Sequence, residues 1–243
     1  MVTIKQEKFS SIFIIGDLHG DYRGLINLIN IVPEGSLIIC VGDFGIGFPQ
    51  TKDLSYYEIL NNRLAYKNVM VYTIRGNHDN PSWFAGGINR KPIGLPHIKL
   101  IPDYTYKNIN GEIFAFVGGA ISIDRNRRVN GISYWEDEAV WLEPLNFQKA
   151  DVLICHTAPS YLPPVDSDER LIKAIFNFNG GYDQKLFDDL KEERKKMDEI
   201  VRGINPDNIY YGHFHFSTEV EEEDLYAKLL DINEWVDHNS TYV

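Results

Sequence analysis

The chain has 243 residues, of which 44% are hydrophobic and 13% aromatic, so it can build a packed core and is not an intrinsically disordered chain. Its net charge of −11 disfavours an extended nucleic-acid footprint, and no apolar run approaches the ~20 residues that a membrane helix needs. The N-terminal residues lack the apolar segment of a signal peptide, and Cys40 and Cys155 lie in apolar runs typical of buried thiols. We therefore expect a cytoplasmic protein without a disulfide framework.

Six segments share one pattern, an apolar and β-branched run that ends abruptly in glycine and polar residues. Runs of four to seven such residues between turn signals are typical of buried strands. The six segments are 11–20, 36–45, 68–79, 112–122, 150–159 and 208–215. A seventh strand, with an alternating pattern, is predicted within 225–235.

Helices are predicted between these runs. Asp21 is the expected N-cap of a helix of about ten residues, and a second helix is expected over 54–66. The stripe of apolar residues within 183–203, on an otherwise charged segment, predicts a long surface helix.

Two further segments complete the prediction. Asp79 or Asn80 is expected to cap a short helix with Pro81 at its first position. Residues 158–182, with several prolines and glycines, are predicted to be irregular and to form a wall or lid over a site. No internal repeat is present, so we expect one α/β domain over residues 1–243.

The predicted strand ends carry side chains that bind metals. In open α/β sheets, binding sites form just beyond the carboxyl ends of the strands. Imidazole, carboxylate and amide oxygen together suit Mn, Fe, Zn or Ni. The set is too large for one ordinary site and fits two metals that share a ligand. Its members are Asp17, His19, Asp43, Asn77, His78, His156, His213 and His215.

The order of these motifs resembles the calcineurin-like metallophosphoesterase superfamily, and in particular a small member of bacterial or phage type. The motifs are D-x-H at 17–19, G-D at 42–43, G-N-H-D at 76–79, His156, and G-H-x-H at 212–215. Each motif alone is weak evidence, whereas all five in this order, each after a strand-like run, are specific. The resemblance implies a four-layer fold in which two facing mixed β-sheets are flanked by α-helices, with a dinuclear metal site at the C-terminal ends of the strands.

The resemblance also implies a role for each motif residue. One divalent ion is held by Asp17, His19, Asp43 and His215, and the second by Asp43, Asn77, His156 and His213. Manganese is the favoured metal, with Fe, Zn or Ni as alternatives, and a hydroxide that bridges the two ions attacks phosphorus. His78 is left without a metal and is expected to stabilise the transition state or to donate a proton to the leaving oxygen. Asp79 is expected to orient that imidazole or to cap a helix.

Arginines near the predicted strand ends are candidates for substrate contact. The stretch GGAISIDRNRR at 118–128 carries three of them, and Arg125 and Arg127 are the expected phosphate ligands, although a solvated surface cluster is the alternative. Arg75 is expected either to reach the phosphate or to pair with a carboxylate.

Two departures from the family pattern bear on the substrate. The stretch GDFGIGFP at 42–49 lacks the Asp-Arg-Gly that follows G-D in the protein phosphatases of this superfamily, and HTAPS at 156–160 replaces their H-G-G. We therefore expect a hydrolase of phosphate mono- or diesters, small or nucleotide-like, with diesters slightly preferred. A serine/threonine protein phosphatase and a non-catalytic scaffold are the alternatives, cleavage of short single strands stays open, and the sequence does not indicate an oligomeric state.

Overall fold

The computed structural model describes residues 4–49, 54–84, 95–142, 147–165 and 167–242. Four α-helices occur within these ranges: α1 (Arg23–Ile31), α2 (Leu54–Lys67), α3 (Asp168–Asn179) and α4 (Gln184–Ile204). The strands of the same ranges are β1 (Gln6–Glu7), β2 (Ile12–Ile15), β3 (Leu37–Cys40), β4 (Met70–Thr73), β5 (Ile98–Leu100), β6 (Thr105–Ile109), β7 (Glu112–Val117), β8 (Val152–Cys155), β9 (Asn208–Tyr211), β10 (Thr218–Glu222), β11 (Leu225–Leu229) and β12 (Trp235–Asp237).

The strands form two mixed sheets. The five-stranded sheet has the order β12-β2-β3-β4-β5, in which only β12 runs antiparallel to its neighbour. The seven-stranded sheet has the order β1-β6-β7-β8-β9-β11-β10, with a parallel centre from β7 to β11. Because parallel strands end on the same side, β2, β3 and β4 deliver the residues that follow them to one edge, as do β8 and β9.

The alternation of side chains along each strand explains the four layers. Ile12 and Ile14 of β2 face the core between the two sheets, whereas Phe13 and Ile15 pack on the helical side with α1 and α2. The seven-stranded sheet is built the same way, with α4 covering its outer face. Strands that are buried on both faces require continuous apolar sequence, which is what the six runs contain. The predicted fold of two facing sheets flanked by helices is confirmed.

The helix predictions are confirmed for α1, α2 and α4, with two corrections. Asp21 is not the N-cap of α1, because the helix begins one residue later than predicted and Tyr22 occupies that position without a side-chain cap. The prediction of an irregular 158–182 is wrong over α3, which Ser167 caps by accepting from the Arg170 N–H and which Gly180 ends in the left-handed conformation.

Two smaller predictions are also settled. Asn80, rather than Asp79, caps the short 3₁₀ helix that starts at Pro81. The seventh strand is shorter than predicted, because the chain turns between β11 and β12, which belong to different sheets. No helix in the described ranges is both long and apolar enough to cross a membrane.

Candidate metal centre

The predicted ligands come together where the carboxyl ends of the two sheets meet. Asp17, Asp43 and Asn77 follow β2, β3 and β4 of the five-stranded sheet. His156 and the pair His213 and His215 follow β8 and β9 of the seven-stranded sheet. The site is therefore assembled by both halves of the sandwich and depends on their packing.

The backbone at these strand ends adopts a conformation that side chains rarely tolerate. His19, Asp43, His213 and His215 all have positive φ, between 47° and 74°. The other non-glycine residues with positive φ in the described ranges are four asparagines and Tyr104, and asparagine adopts this conformation readily. Such strain persists only when the surrounding structure enforces it, and it concentrates at functional sites.

Glycines before the ligands leave room for carboxylates. A Cβ atom on Gly76 would collide with Oδ1 of Asp43, and one on Gly212 would collide with Oδ1 of Asp17. The two carboxylates thus lie directly against the backbone of neighbouring strand ends. This close approach accounts for the glycine that precedes the ligand motifs at 77 and 213.

One set of ligand atoms, which we call the outer group, comprises Asp17, His19, Asp43 and His215. Their ligand atoms all lie within 4.8 Å of one another. Nε2 of His19 is 2.9 Å from Nε2 of His215, which is 3.4 Å from Oδ2 of Asp17. These oxygens and nitrogens converge on one point and can hold a metal ion.

A second set, which we call the inner group, comprises Asp43, Asn77, His156 and His213. Oδ1 of Asn77 lies 3.2 Å from Nε2 of His156 and 2.9 Å from Nδ1 of His213. Nε2 of His156 is also 3.3 Å from Oδ1 of Asp43. Asp43 is thus common to both groups, with Oδ2 facing His19 at 3.6 Å.

The inner group is held by contacts behind it. Nδ1 of His156 lies 2.9 Å from the carbonyl oxygen of Val41, which therefore fixes Nδ1 as a protonated nitrogen and leaves Nε2 as the atom available to a metal ion. Nδ2 of Asn77 donates to Oγ of Ser122 at 3.2 Å, so Oδ1 points into the site. Ser122, which the sequence did not single out, accordingly positions a predicted ligand.

Charge in the site favours a cation. Burial opposes ionisation of Asp43, but His156 and His78 outweigh it and hold the pKa of this carboxyl well below its usual range. Burial likewise disfavours protonation of His156, yet the carboxylates of Asp43 and Asp17 raise its pKa to about 9. In the absence of a metal, the carboxylates therefore recruit a proton to the imidazole as a substitute positive charge.

Asp43 provides a direct test of whether a metal fits. Its Oδ2 atom is buried and has no hydrogen-bond partner among the described residues. A buried ionised oxygen without a partner is costly unless a cation completes its coordination. This buried oxygen faces His19 of the outer group, and a cation held by that group would complete its coordination.

A cleft of about 310 Å³ opens onto the outer group. Its lining consists of His19, Gly45, Phe48, His78 and His215. Phe48 stacks on the ring of His78, with centroids 4.7 Å apart. The main-chain N–H of His78 donates to Oδ1 of Asp43 at 2.7 Å, which places this imidazole beside the outer group.

The family follows from this arrangement together with the sequence. The model of the calcineurin-like phosphoesterase family matches residues 10–217, a range that contains every predicted ligand. The chain belongs to this family. The predicted resemblance is therefore confirmed.

Solved structures of low identity are similar to this calcineurin-like phosphoesterase. The phosphopantetheinyl hydrolase of Mycobacterium tuberculosis is 13% identical with a TM-score of 0.48, and the match covers 96% of this chain and 92% of that one. The 5'-nucleotidase precursor of Thermus thermophilus is 12% identical with a TM-score of 0.41, covering 91% of this chain. A Staphylococcus aureus structure in complex with alpha-ketoglutarate is 13% identical with a TM-score of 0.46, covering 92% of this chain.

The chain spans only 48% of the length of the Thermus thermophilus protein and 48% of the Staphylococcus aureus one. No curated protein matches it.

Asp79 makes different contacts from those expected in this phosphoesterase. Its carboxylate accepts from the main-chain N–H groups of Phe44, Gly45, Ile46 and Gly76, at 2.7–3.2 Å. It therefore neither caps the 3₁₀ helix nor hydrogen-bonds to His78, and instead it fixes the loop that carries Asp43. Burial and the neighbouring charge of Asp43 raise the pKa of Asp79 to about 7.

The arginines of the 118–128 stretch are distributed differently from the prediction. Nη1 of Arg125 pairs with Asp189 of α4 at 2.7 Å, and Arg127 is exposed beside Gly180. Arg128 instead reaches the site, with Nη2 2.7 Å from Nε2 of His78. Of the two roles expected for Arg75, the structure shows the second, because its Nε donates to Asp103 at 2.8 Å.

Proposed function

We propose that this chain is a dinuclear metal-dependent phosphoric ester hydrolase that acts on small or nucleotide-like substrates. The observation that carries this proposal is the carboxylate of Asp43, which belongs to both ligand groups and keeps a buried oxygen without a partner among the described residues. Ligands from both sheets surround that carboxylate, in the order that the family motifs require. Membership of the phosphoesterase family supports the reaction class.

The outer and inner groups would each hold one divalent cation. Oxygen and imidazole donors without thiolate suit manganese, and also Fe, Zn or Ni. When bound, a pair of such ions supplies activated water at neutral pH and positive charge toward a phosphoryl oxygen. The protein's own contribution is to fix the ligand atoms in advance, through the strained strand ends and the contacts of His156 and Asn77.

His78 is proposed to act on the substrate. It lines the cleft next to the outer group, and its main chain rather than its ring bonds to Asp43. Its Nε2 atom faces a guanidinium donor of Arg128, and burial lowers the pKa of the imidazole to about 4. Of the two roles expected from the sequence, these observations favour stabilisation of the transition state over proton donation.

The site also has an apolar wall that suits a small organic ester. Phe48 lines the cleft and lies over His78, and the buried Trp135 packs behind Phe48, with the centroids of these two rings 6.0 Å apart. A cytoplasmic location remains part of the proposal, supported by Cys40 and Cys155, which are both buried free thiols.

The experiment is reconstitution of the chelator-treated protein with Mn²⁺, Fe²⁺, Zn²⁺ or Ni²⁺. Each preparation is assayed on p-nitrophenyl phosphate, bis-p-nitrophenyl phosphate, cyclic nucleotides, oligonucleotides and a phosphoprotein. We expect hydrolysis of at least one ester that requires metal and is abolished by chelation. Preference for the phosphoprotein would favour a protein phosphatase, and inactivity on every ester with two metals bound would favour a scaffold.

His78→Ala separates catalysis from metal binding. We expect this variant to keep its metals and to lose turnover by about 10²–10³-fold, the effect of removing one group that stabilises the transition state. Elemental analysis and steady-state kinetics measure the two properties on the same sample. Loss of metal in His78→Ala would contradict the role assigned to this residue.

A further inference from the structure

Arg128 contacts His78, a residue of the cleft lining, and is held in that position largely by its own loop. Nε of Arg128 donates to Oδ1 of Asp124 at 2.6 Å, and Nη1 approaches the carbonyl oxygens of Asn77 and Ser133 at 3.3 and 3.4 Å. The side chain is 9% exposed, so the guanidinium is fixed rather than solvated. It therefore brings a permanent positive charge to the back of His78.

The donors of this guanidinium are not all used. An arginine side chain carries five N–H groups, and the described residues accept from four of them, the fourth being the contact of Nη2 with Nε2 of His78. The remaining N–H lies on Nη2, the atom closest to the cleft-lining imidazole. A phosphate oxygen beside His78 would be within reach of a charge-assisted hydrogen bond.

Other arginines at this end of the sheets are already engaged. Arg125 is paired with Asp189 and lies 3.7 Å from Asp183. Arg75 is engaged by Asp103 and by the carbonyl oxygens of residues 137–139. The loop thus places Arg128 against His78, a residue of the cleft lining, and turns Arg125 toward α4.

We propose that Arg128 contacts the substrate phosphate and makes the site selective for terminal phosphate monoesters over diesters. This inference rests on the proposed function and refines its substrate class. The sequence-based preference for diesters depended on a missing arginine after the G-D motif, and Arg128 supplies an arginine from a different loop.

Charge and oxygen count give the direction of this selectivity. Near neutral pH a monoester carries about −1.5 to −2 charge, whereas a diester carries a single charge. A monoester also presents three unesterified oxygens and a diester two. An additional cationic donor therefore stabilises a bound monoester more than it stabilises a bound diester. In the reaction, the oxygen of water joins phosphorus, the ester P–O bond breaks, and the alcohol leaves with a proton.

The test compares Arg128→Ala and Arg128→Lys with Arg127→Ala, the exposed arginine next to it. Each full-length, metal-loaded protein is assayed on p-nitrophenyl phosphate and bis-p-nitrophenyl phosphate, with metal content and thermal midpoint recorded. We expect Arg128→Ala to lose about 10- to 100-fold in kcat/KM on the monoester and a smaller factor on the diester. Arg128→Lys should recover part of the loss, and Arg127→Ala should match the wild type.

A binding measurement makes the result independent of turnover. Calorimetric titration with inorganic phosphate should show about 10-fold weaker binding to Arg128→Ala than to the wild type. Equal losses on both esters, or unchanged phosphate affinity, would overturn the inference. If Arg128→Ala loses metal or has a lower thermal midpoint than the wild type, Arg128→Gln is used in its place, because glutamine keeps a hydrogen-bond donor but removes the charge. Unchanged selectivity between the two esters in Arg128→Gln would then refute the proposal.

The two hypotheses fail in different ways. A wild-type protein that binds metals but hydrolyses no ester contradicts the proposed function. A wild-type protein that hydrolyses esters, with Arg128→Ala equally selective, contradicts only the role of Arg128.

Discussion

The outer and inner ligand groups differ in how the protein supports them. In the inner group, His156 is fully buried and is held by the Val41 carbonyl, and the Asn77 amide is held by Ser122. In the outer group, the side chain of His215 is 46% exposed and that of His19 is 21% exposed, and both are next to the cleft. The inner group is therefore preorganised by the core, whereas the outer group faces solvent and substrate. We expect the inner site to bind its metal more tightly and the outer site to exchange it more readily.

Asp43 is the point at which the two groups meet, and its variant should have the largest effect. Asp43→Asn removes a charge from the one carboxylate that both groups share. We expect the affinity for both metals to fall by more than about 100-fold, with loss of activity. Loss of a contact that only supports a ligand weakens metal affinity by roughly 10–100-fold, and Asp43 is itself a ligand in both groups. Elemental analysis after gel filtration measures the stoichiometry.

His215→Ala is the matched variant, since it removes an exposed ligand from the outer group alone. We expect it to retain one metal per chain. A protein that loses both metals in His215→Ala, or keeps one in Asp43→Asn, would contradict the division into two groups with a common carboxylate.

A second buried carboxylate lies behind the inner group. Oε1 of Glu138 accepts from the Ser122 N–H at 2.7 Å, and Oε2 is buried without a hydrogen-bond partner among the described residues. Burial raises the pKa of Glu138 from its ordinary value of 4.5 to about 7. The folded protein thus holds a proton on Glu138 that the unfolded chain releases at lower pH.

This difference predicts a dependence of stability on pH. Because the pKa is raised by folding, the contribution of Glu138 is fully present below pH 4.5 and is lost as the pH rises through about 7. The loss corresponds to about 3 kcal/mol. Glu138→Gln cannot ionise, so urea unfolding of the metal-free protein at pH 5 and pH 8 should show a smaller decline for the variant. Glu136→Gln, an exposed neighbour, is the control, and equal declines in wild type and Glu138→Gln would disprove the assignment.

The positions of the proposed ligands could be predicted from sequence, because each follows an apolar strand that ends in a predictable place. Strand length and sheet polarity place Asp17, Asp43 and His156 at one edge, whereas their assignment to two metal ions depends on the resemblance to the family. Arg128 could not be predicted, because three arginines within four residues have the same local signals and only the packing of α4 withdraws Arg125. The helix α3 was missed although Ser167 and Gly180 mark its ends, because neighbouring prolines and glycines indicated a loop.

The smallest expected effect concerns Ser122, whose hydroxyl orients the Asn77 amide. In Ser122→Ala, Nδ2 of Asn77 loses its acceptor, and the amide can rotate so that nitrogen rather than oxygen faces the inner group. Loss of a contact that orients a metal ligand weakens metal affinity by roughly 10–100-fold, and we expect the lower end because Asn77 itself remains. Competition with a chromogenic chelator measures the tighter of the two metal affinities, which should fall in Ser122→Ala. It should stay constant in the control Ser160→Ala, because Ser160 hydrogen-bonds to Asp198 away from the site. If instead only the weaker metal affinity fell in Ser122→Ala, then Ser122 would support the outer group. Burial of the inner group would then not explain why the two sites differ in metal affinity.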